Sequence, residues 1–402
     1  MVRNVERQNL QKNNENGKEL SKNVYLLGFT SFLNDMSSEM IMPILPMLIT
    51  SFGGGSLSIG LVGGLREFIS NILMVLVGYY SDKVRKRKIF VILGYLTSSM
   101  FRLLLGLSKS WLEAVVFSSL ERMGKGIRTA PRDAIISESM PKTLGKGFGI
   151  QRAFDTAGAI LGSTFSLLFI LYFQYSFSQI ILIAAAIGFF AIIPLYFVKE
   201  KKPVSNLNDK ITFKVGIKNL SKELKLFILI SGIFTLSNFS YMFYILRAQE
   251  FLMIVDEKMA IIIPIALYIL YNIFYATFSI PFGILSDKIG RRRVLTMGYI
   301  VYGITSLGFA YFISQKSLIL LFALYGIAYA LFAGNQKAYV SELSSEDIRA
   351  TALGLFYTVV GLTSLPASLI AGYLWKISPE ITFLYGSILA IVSGLLLLLL
   401  KT

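Results

Sequence analysis

Apolar runs of 18 or more residues recur from Val24 to the last residues of the chain. Each is about the length that one helix needs to cross roughly 30 Å of hydrocarbon. That recurrence predicts an all-α, polytopic membrane protein. A dozen spans of about 20 to 25 residues would occupy roughly 240 to 300 positions, which leaves short loops and no room for a large soluble domain. Composition agrees: 54% of the 402 residues are apolar and 15% are charged, with a mean hydropathy of +0.65, outside what a water-facing surface needs.

Read by apolar run, helices are expected at about 24–50, 56–80, 89–108, 111–139, 147–173 and 178–198, and again at 224–249, 259–285, 294–314, 317–342, 350–375 and 381–400. Residues 1–23 read as a cytosolic tail, because they are polar and lack the apolar core and cleavage site of a signal peptide. Residues 24–198 form one six-helix half and residues 224–402 the other. The polar, Lys-rich stretch 199–223 is the one long linker.

The 39 Lys and Arg against 23 Asp and Glu leave a formal net charge of +16, which in a soluble chain would suggest nucleic acid as partner. Here the excess sits in alternate loops: in the tail (Arg3, Arg7, Lys12, Lys18, Lys22), in the second loop (Lys83 to Lys88), in the linker, and in the eighth loop (Lys288, Arg291, Arg292, Arg293). Such alternation is a topology signal and predicts both termini on the cytoplasmic side of the cell membrane. No nucleic-acid partner is expected. The chain has no Cys and no His, which removes disulfides, thiolate chemistry, imidazole metal ligands and the usual proton carrier. Any proton coupling must use Asp or Glu.

A repeat is visible at a period of roughly 205 residues. Gly78-Tyr-Tyr-Ser-Asp82-Lys83-Val-Arg-Lys-Arg87-Lys88 matches Gly283-Ile-Leu-Ser-Asp287-Lys288-Ile-Gly-Arg-Arg292-Arg293, each at the cytoplasmic end of the second helix of its half. AIISE ending at Glu138 echoes AYVSE ending at Glu342, and Asn34 pairs with Asn238. Both copies begin on the same side, so the repeat is parallel. It gives 12 transmembrane helices as two pseudo-symmetric six-helix bundles, with a site expected between them.

The paired Gly-x-x-x-Asp-Lys motifs, together with Arg122-x-x-x-Gly126 in the fourth helix, resemble the major facilitator superfamily of secondary transporters. The resemblance covers essentially the whole chain. It implies that the first motif is a conformational lock, whose Asp faces the N-terminus of the eleventh helix and a basic partner. By position this gives Gly78, Asp82, Arg87, Gly283, Asp287 and Arg292, with Glu138 and Glu342 as partners of the loop cations. A carboxylate at an exposed helix N-terminus gains about 0.3 to 1 kcal/mol. Positive-inside charge alone would explain the cations, though not the paired Gly and Asp. The first copy has Arg85 where the second has Gly290, which could alter a tight turn.

Arg122 lies about 17 Å deep when counted from Trp111, near the middle of the bilayer. An Arg there is costly unless it faces a cavity or a carboxylate, so it is a functional candidate. The resemblance implies proton transfer or substrate contact, and the alternative is a structural ion pair with Asp35 or Glu67. Those two carboxylates lie about 17 and 20 Å from the cytoplasmic end and are the expected proton carriers. Low dielectric raises a carboxylate pKa and a nearby Arg lowers it, so exchanging one for the other can load and release a proton. Permanent pairing with Arg66, Arg102 or Arg122 is the alternative.

Asp155, at about 12 Å, is expected to partner Arg152. Cavity-lining residues are expected among Asn34, Glu39, Arg128, Arg152, Asp155, Asn238, Tyr241, Tyr271, Asn272, Asn335 and Gln336. The cations Arg122, Lys125, Arg128 and Arg152 could attract an anion. Gly158-Ala-Ile-Leu-Gly162-Ser163 resembles a degraded antiporter motif without its Pro, or serves close helix packing.

The expected function is proton-coupled export of a small organic solute or drug by alternating access. The alternatives are uniport or uptake of an organic anion, or lipid flipping on the same fold. The expected partners are the solute, protons and the lipid bilayer, with the chain as a monomer and no cofactor or metal. An enzyme is not expected: no nucleophile with its base, metal cluster or phosphate loop is present, and Gly53-Gly-Gly55 is too short for the last.

Overall fold

The computed structural model describes residues 2–84, 86–140, 144–200, 220–254, 256–345 and 348–400, with the side chains of 2–21, 144, 145 and 350 left aside. Most of the linker, Arg85 and the tail cations from Arg3 to Lys18 therefore lie outside the described side chains. Within lipid no water can satisfy a backbone N–H or C=O, so spanning segments must close their own hydrogen bonds. Every regular element among the described residues is accordingly helical.

The elements are α1 (Val2–Ile41), α2 (Leu45–Ser51), α3 (Ser56–Val84), α4 (Arg87–Gly106), α5 (Trp111–Ser139), α6 (Leu144–Phe173), α7 (Phe177–Phe190) with a 3-10 turn (Ile193–Phe197), α8 (Lys222–Ser237), α9 (Met242–Met253), α10 (Glu257–Ile289), α11 (Arg291–Tyr311), α12 (Gln315–Glu342), α13 (Arg349–Ile377) and α14 (Pro379–Leu399). They compose twelve spans, because α1 with α2, and α8 with α9, are each one span broken partway.

Ten spans are long and apolar enough to cross a membrane on those grounds alone. The other two are the broken first span and α5, whose run of charges dilutes its hydropathy. Ser caps recur at helix starts, as where Ser110 accepts from the Glu113 N–H and Ser176 forms a capping box with Gln179. They satisfy N–H groups that the first turn leaves unpaired.

Without a hydrophobic drive between helices in lipid, close packing holds each half together. In the first half α1 packs on α6, and α5 on both α3 and α4. Gly158 and Gly162 make the α1–α6 contact possible: a Cβ at either would collide with the carbonyls of Phe32 and Met36. Close packing thus accounts for that small-residue stripe. In the second half α10 packs on α12, and α11 on α12 and α14, around a cluster of stacked and edge-on rings that includes Phe234, Tyr244, Tyr299, Tyr302 and Tyr325.

The halves meet mainly along α3 and α13, and also α6 and α10. The α3–α13 seam brings backbones close together through glycines on the side away from the termini. Cβ atoms at Gly60 and Gly64 would strike Ser368 and Leu365, and Gly372 lies against Ser56 and Leu57. Ser56 also donates to the Gly372 carbonyl at 2.9 Å.

Candidate functional site

The centre of the first half is an ionic cluster built on α3, α4 and α5. Glu121 is its hub. One carboxylate oxygen accepts from Arg102 Nη2 at 2.8 Å and Nε at 3.2 Å, and the other lies 3.5 Å from Arg66 and 3.7 Å from Arg122. All four side chains are buried. Arg102 also donates to Ser37 at 2.9 Å, and Arg66 to the Ser118 carbonyl at 3.1 Å. One carboxylate therefore serves three guanidinium groups. Arg122 takes its ion pair from its sequence neighbour Glu121, where the sequence reading offered Asp35 or Glu67.

The two broken spans meet beside this cluster. Met42 occupies the turn between α1 and α2, where Pro43 and Pro46 interrupt the helix. Tyr241 occupies the turn between α8 and α9. The Tyr241 hydroxyl lies 2.8 Å from the Met42 Sδ and 3.1 Å from its carbonyl oxygen. Arg66 Nη2 and Arg122 Nη2 each point at the same sulfur from 3.3 Å. Nearby on the same side, Tyr268 of α10 donates to Glu39 of α1 at 2.8 Å, a second tie between the halves.

Next to the buried arginines stand exposed ions. Glu67 follows Arg66, and Lys125 lies one turn beyond Arg122; both are exposed although both sit deep within their spans. The charges of Arg122, Glu67 and Asp35 all bear on Lys125. Arg152, also exposed, lies over the Tyr275 ring of the other half at 5.2 Å. Lys337 lies 5.5 Å from the centre of the Tyr357 ring and feels the charge of Asp133 across the gap. A polar cavity between the halves is the arrangement that exposes all four.

The remaining expected residues divide. Half-buried Asp35 accepts from Asn34 at 3.0 Å. Asp155 accepts from Gln151 at 2.8 Å. Asn238 accepts from Tyr329 at 2.7 Å, and Tyr271 stacks with Tyr275 and Tyr325. Asn272 Nδ2 is buried without a partner among the described residues. Others turn away from the cavity. Arg128 is buried within the first half, over the Tyr95 ring at 4.6 Å and donating to Ser98 at 2.9 Å. Asn335 bonds back to the Leu331 carbonyl of its own helix, and Gln336 donates to Tyr299 at 2.8 Å.

The residues expected to form a lock pair within their own halves. Arg87 pairs with Asp82 at 2.9 Å and with Glu138. In the second copy Arg291, in place of the expected Arg292, pairs with Asp287 at 2.9 Å and Glu342 at 3.1 Å; Arg292 donates to the Leu400 carbonyl. A Cβ at Gly283 would meet nothing, and one at Gly78 only Ala130 of its own half. Asp82, whose side chain is 63% exposed, is paired with Arg87, and among the described residues no hydrogen bond or ion pair joins it to α13. Gly290 has φ +95° and needs to be Gly for that reason.

The hub Glu121 and the joint at Met42 and Tyr268 were not singled out from sequence. The available signal was the presence of Arg66 and Arg102 inside otherwise apolar runs, which demands a buried counter-charge.

The family model described as Major Facilitator Superfamily matches residues 27–254 and 258–402. An uncharacterized MFS-type transporter of Methanocaldococcus jannaschii is 91% identical over 99% of this chain and 100% of its own. Among solved structures, the nucleoside transporter NupG, as its D323A mutant, aligns with a TM-score of 0.79 at 15% identity, covering 95% of this chain and 100% of that one. A bacterial homolog of the human lysosomal transporter Spinster, in an inward-facing and unoccupied conformation, aligns with a TM-score of 0.69 at 15% identity, covering 95% of each.

Proposed function

The chain belongs to the major facilitator superfamily and is a multi-pass membrane transporter; from that premise we propose that it exports a small organic solute in exchange for protons carried by Asp35 and Glu67. The observation that carries this reading is the exposed pair Glu67 and Lys125 at mid-span, between the halves. A carboxylate held in solvent reach beside mobile charge can bind a proton in one state and release it in another. The halves touch on the far side through α3 and α13, while among the described residues no hydrogen bond or ion pair joins Asp82 to α13. The cavity is then open toward the basic loops, which are the cytoplasmic side by the charge rule. Solute would enter from there, and rocking of the halves would close the Asp82 lock behind it.

Proteoliposomes carrying the purified protein test this. Internal pH is recorded under an imposed proton gradient while cations, anions and amphiphiles are added. Proton movement driven by at least one solute is expected, with Glu67→Gln and Asp35→Asn abolishing the coupling. Intact solute flux in both variants, without any solute-driven proton movement, would sink the coupled mechanism. Uniport or uptake of an organic anion is the second reading, favoured by three exposed cations, Lys125, Arg152 and Lys337, against Glu67 around the cavity.

A further inference from the structure

The Met42 thioether stands where a better hydrogen-bond acceptor belongs. Three donors converge on its sulfur: Arg66 Nη2 and Arg122 Nη2 at 3.3 Å and the Tyr241 hydroxyl at 2.8 Å. A thioether is a weak, uncharged acceptor. The two arginines are 4% and 6% exposed, and Arg122 Nε has no hydrogen-bond partner among the described residues; Glu121 Oε2, itself without one, lies 3.7 Å from it, beyond bonding distance. Charge is out of balance in the same place. Among the described residues, Glu121 is the one carboxylate in contact with Arg66, Arg102 and Arg122, and its closest bonds go to Arg102. Glu39 and Glu67 act on this site only from a distance, the first tied to Tyr268 and the second facing the cavity. Buried guanidinium groups are costly until paired, and an oxyanion would supply both the charge and the acceptor atoms.

We infer that Arg66, Arg122 and Tyr241 form a carboxylate-binding site, that Met42 fills it in the empty protein, and that the carboxylate of an organic solute displaces the sulfur. This rests on the reading of the interior as a transport path and adds the class of solute. It also links binding to movement. Met42 lies in the break of the first span and Tyr241 in that of the seventh, so a ligand that separates them loosens a tie between the halves.

The test uses the full chain in nanodiscs of uncharged lipid. Met42→Glu supplies a tethered carboxylate, and Met42→Gln is its neutral counterpart. The Glu variant is expected to melt several degrees above the Gln variant, and the difference to vanish in an Arg66→Gln background. In the unaltered protein, benzoate is expected to raise the melting temperature, whereas benzamide, chloride and phosphate do not. Arg66→Gln should weaken benzoate binding about tenfold, and Met42→Glu should abolish it. Equal melting of the Glu and Gln variants, equal effects of benzoate and benzamide, or a response only to the inorganic anions overturns the inference. None of these readouts needs transport. Success here without flux in proteoliposomes would remove the transport reading alone, and coupled flux of neutral solutes with failure here would remove the carboxylate site alone.

Discussion

At the level of single residues, the buried charges of α5 are held by one neighbour. Residues adjacent in a helix do not normally face each other. Glu121 nevertheless reaches Arg122 as well as Arg66 of α3 and Arg102 of α4. Glu121→Gln would leave three buried cations without a contact carboxylate, at a cost of about 3 to 5 kcal/mol. Thermal denaturation in detergent should show that loss, and Glu121→Asp should recover only part of it. The sequence made Arg122 conspicuous, since an Arg in an apolar run always needs an explanation. It could not say which carboxylate supplies one, because that depends on side-chain direction across three helices. Arg128 illustrates the same limit: depth along α5 was legible, but its turn toward Tyr95, away from the cavity, was not.

Among the elements, apolar periodicity located every span, and the fourth falls at Trp111–Ser139 as expected. Breaks inside spans were harder to see. Hydropathy runs straight through Met42 to Ile44, and only Pro43 and Pro46 mark the interruption there. Between α8 and α9 no Pro or Gly marks it; Ser237, Asn238 and Ser240 are the only cue. The small residues of α6 were legible as a packing stripe, and their contacts make a sharp prediction. Gly162→Leu would drive a side chain into the Met36 carbonyl of α1, costing about 1 to 3 kcal/mol or more, whereas Gly149→Leu, with open space around it, should be tolerated. Melting temperatures of the two variants compare these sites directly.

For the whole molecule, the repeat and the loop charges were readable as two six-helix halves. The conformation was not, because both states of a rocking transporter share one sequence. The structure packs α3 against α13 on the far side, and among the described residues Asp82 is paired with Arg87, so two substitutions should push the equilibrium in opposite directions. Tyr268→Phe removes a hydrogen bond to Glu39 across the halves, of a kind worth about 1.5 to 3 kcal/mol, and should favour opening of the far side by roughly ten- to a hundredfold. By the proposed mechanism, Asp82→Asn weakens a lock formed when the basic side closes, and should enrich the conformation described here. Spin labels on cysteine pairs can read both, since the chain contains no native cysteine to interfere. Distance distributions that move the same way in both variants would contradict this assignment of sides.

The sulfur shared by the two broken spans is buried, so an oxidant that reaches it acts on the contact between the halves. Conversion of Met42 to its sulfoxide would place a strongly accepting oxygen among three donors that now share a thioether. The joint would then be fastened from within. Peroxide treatment should slow solute flux, methionine sulfoxide reductase should restore it, and the flux of Met42→Leu should be much less sensitive to either.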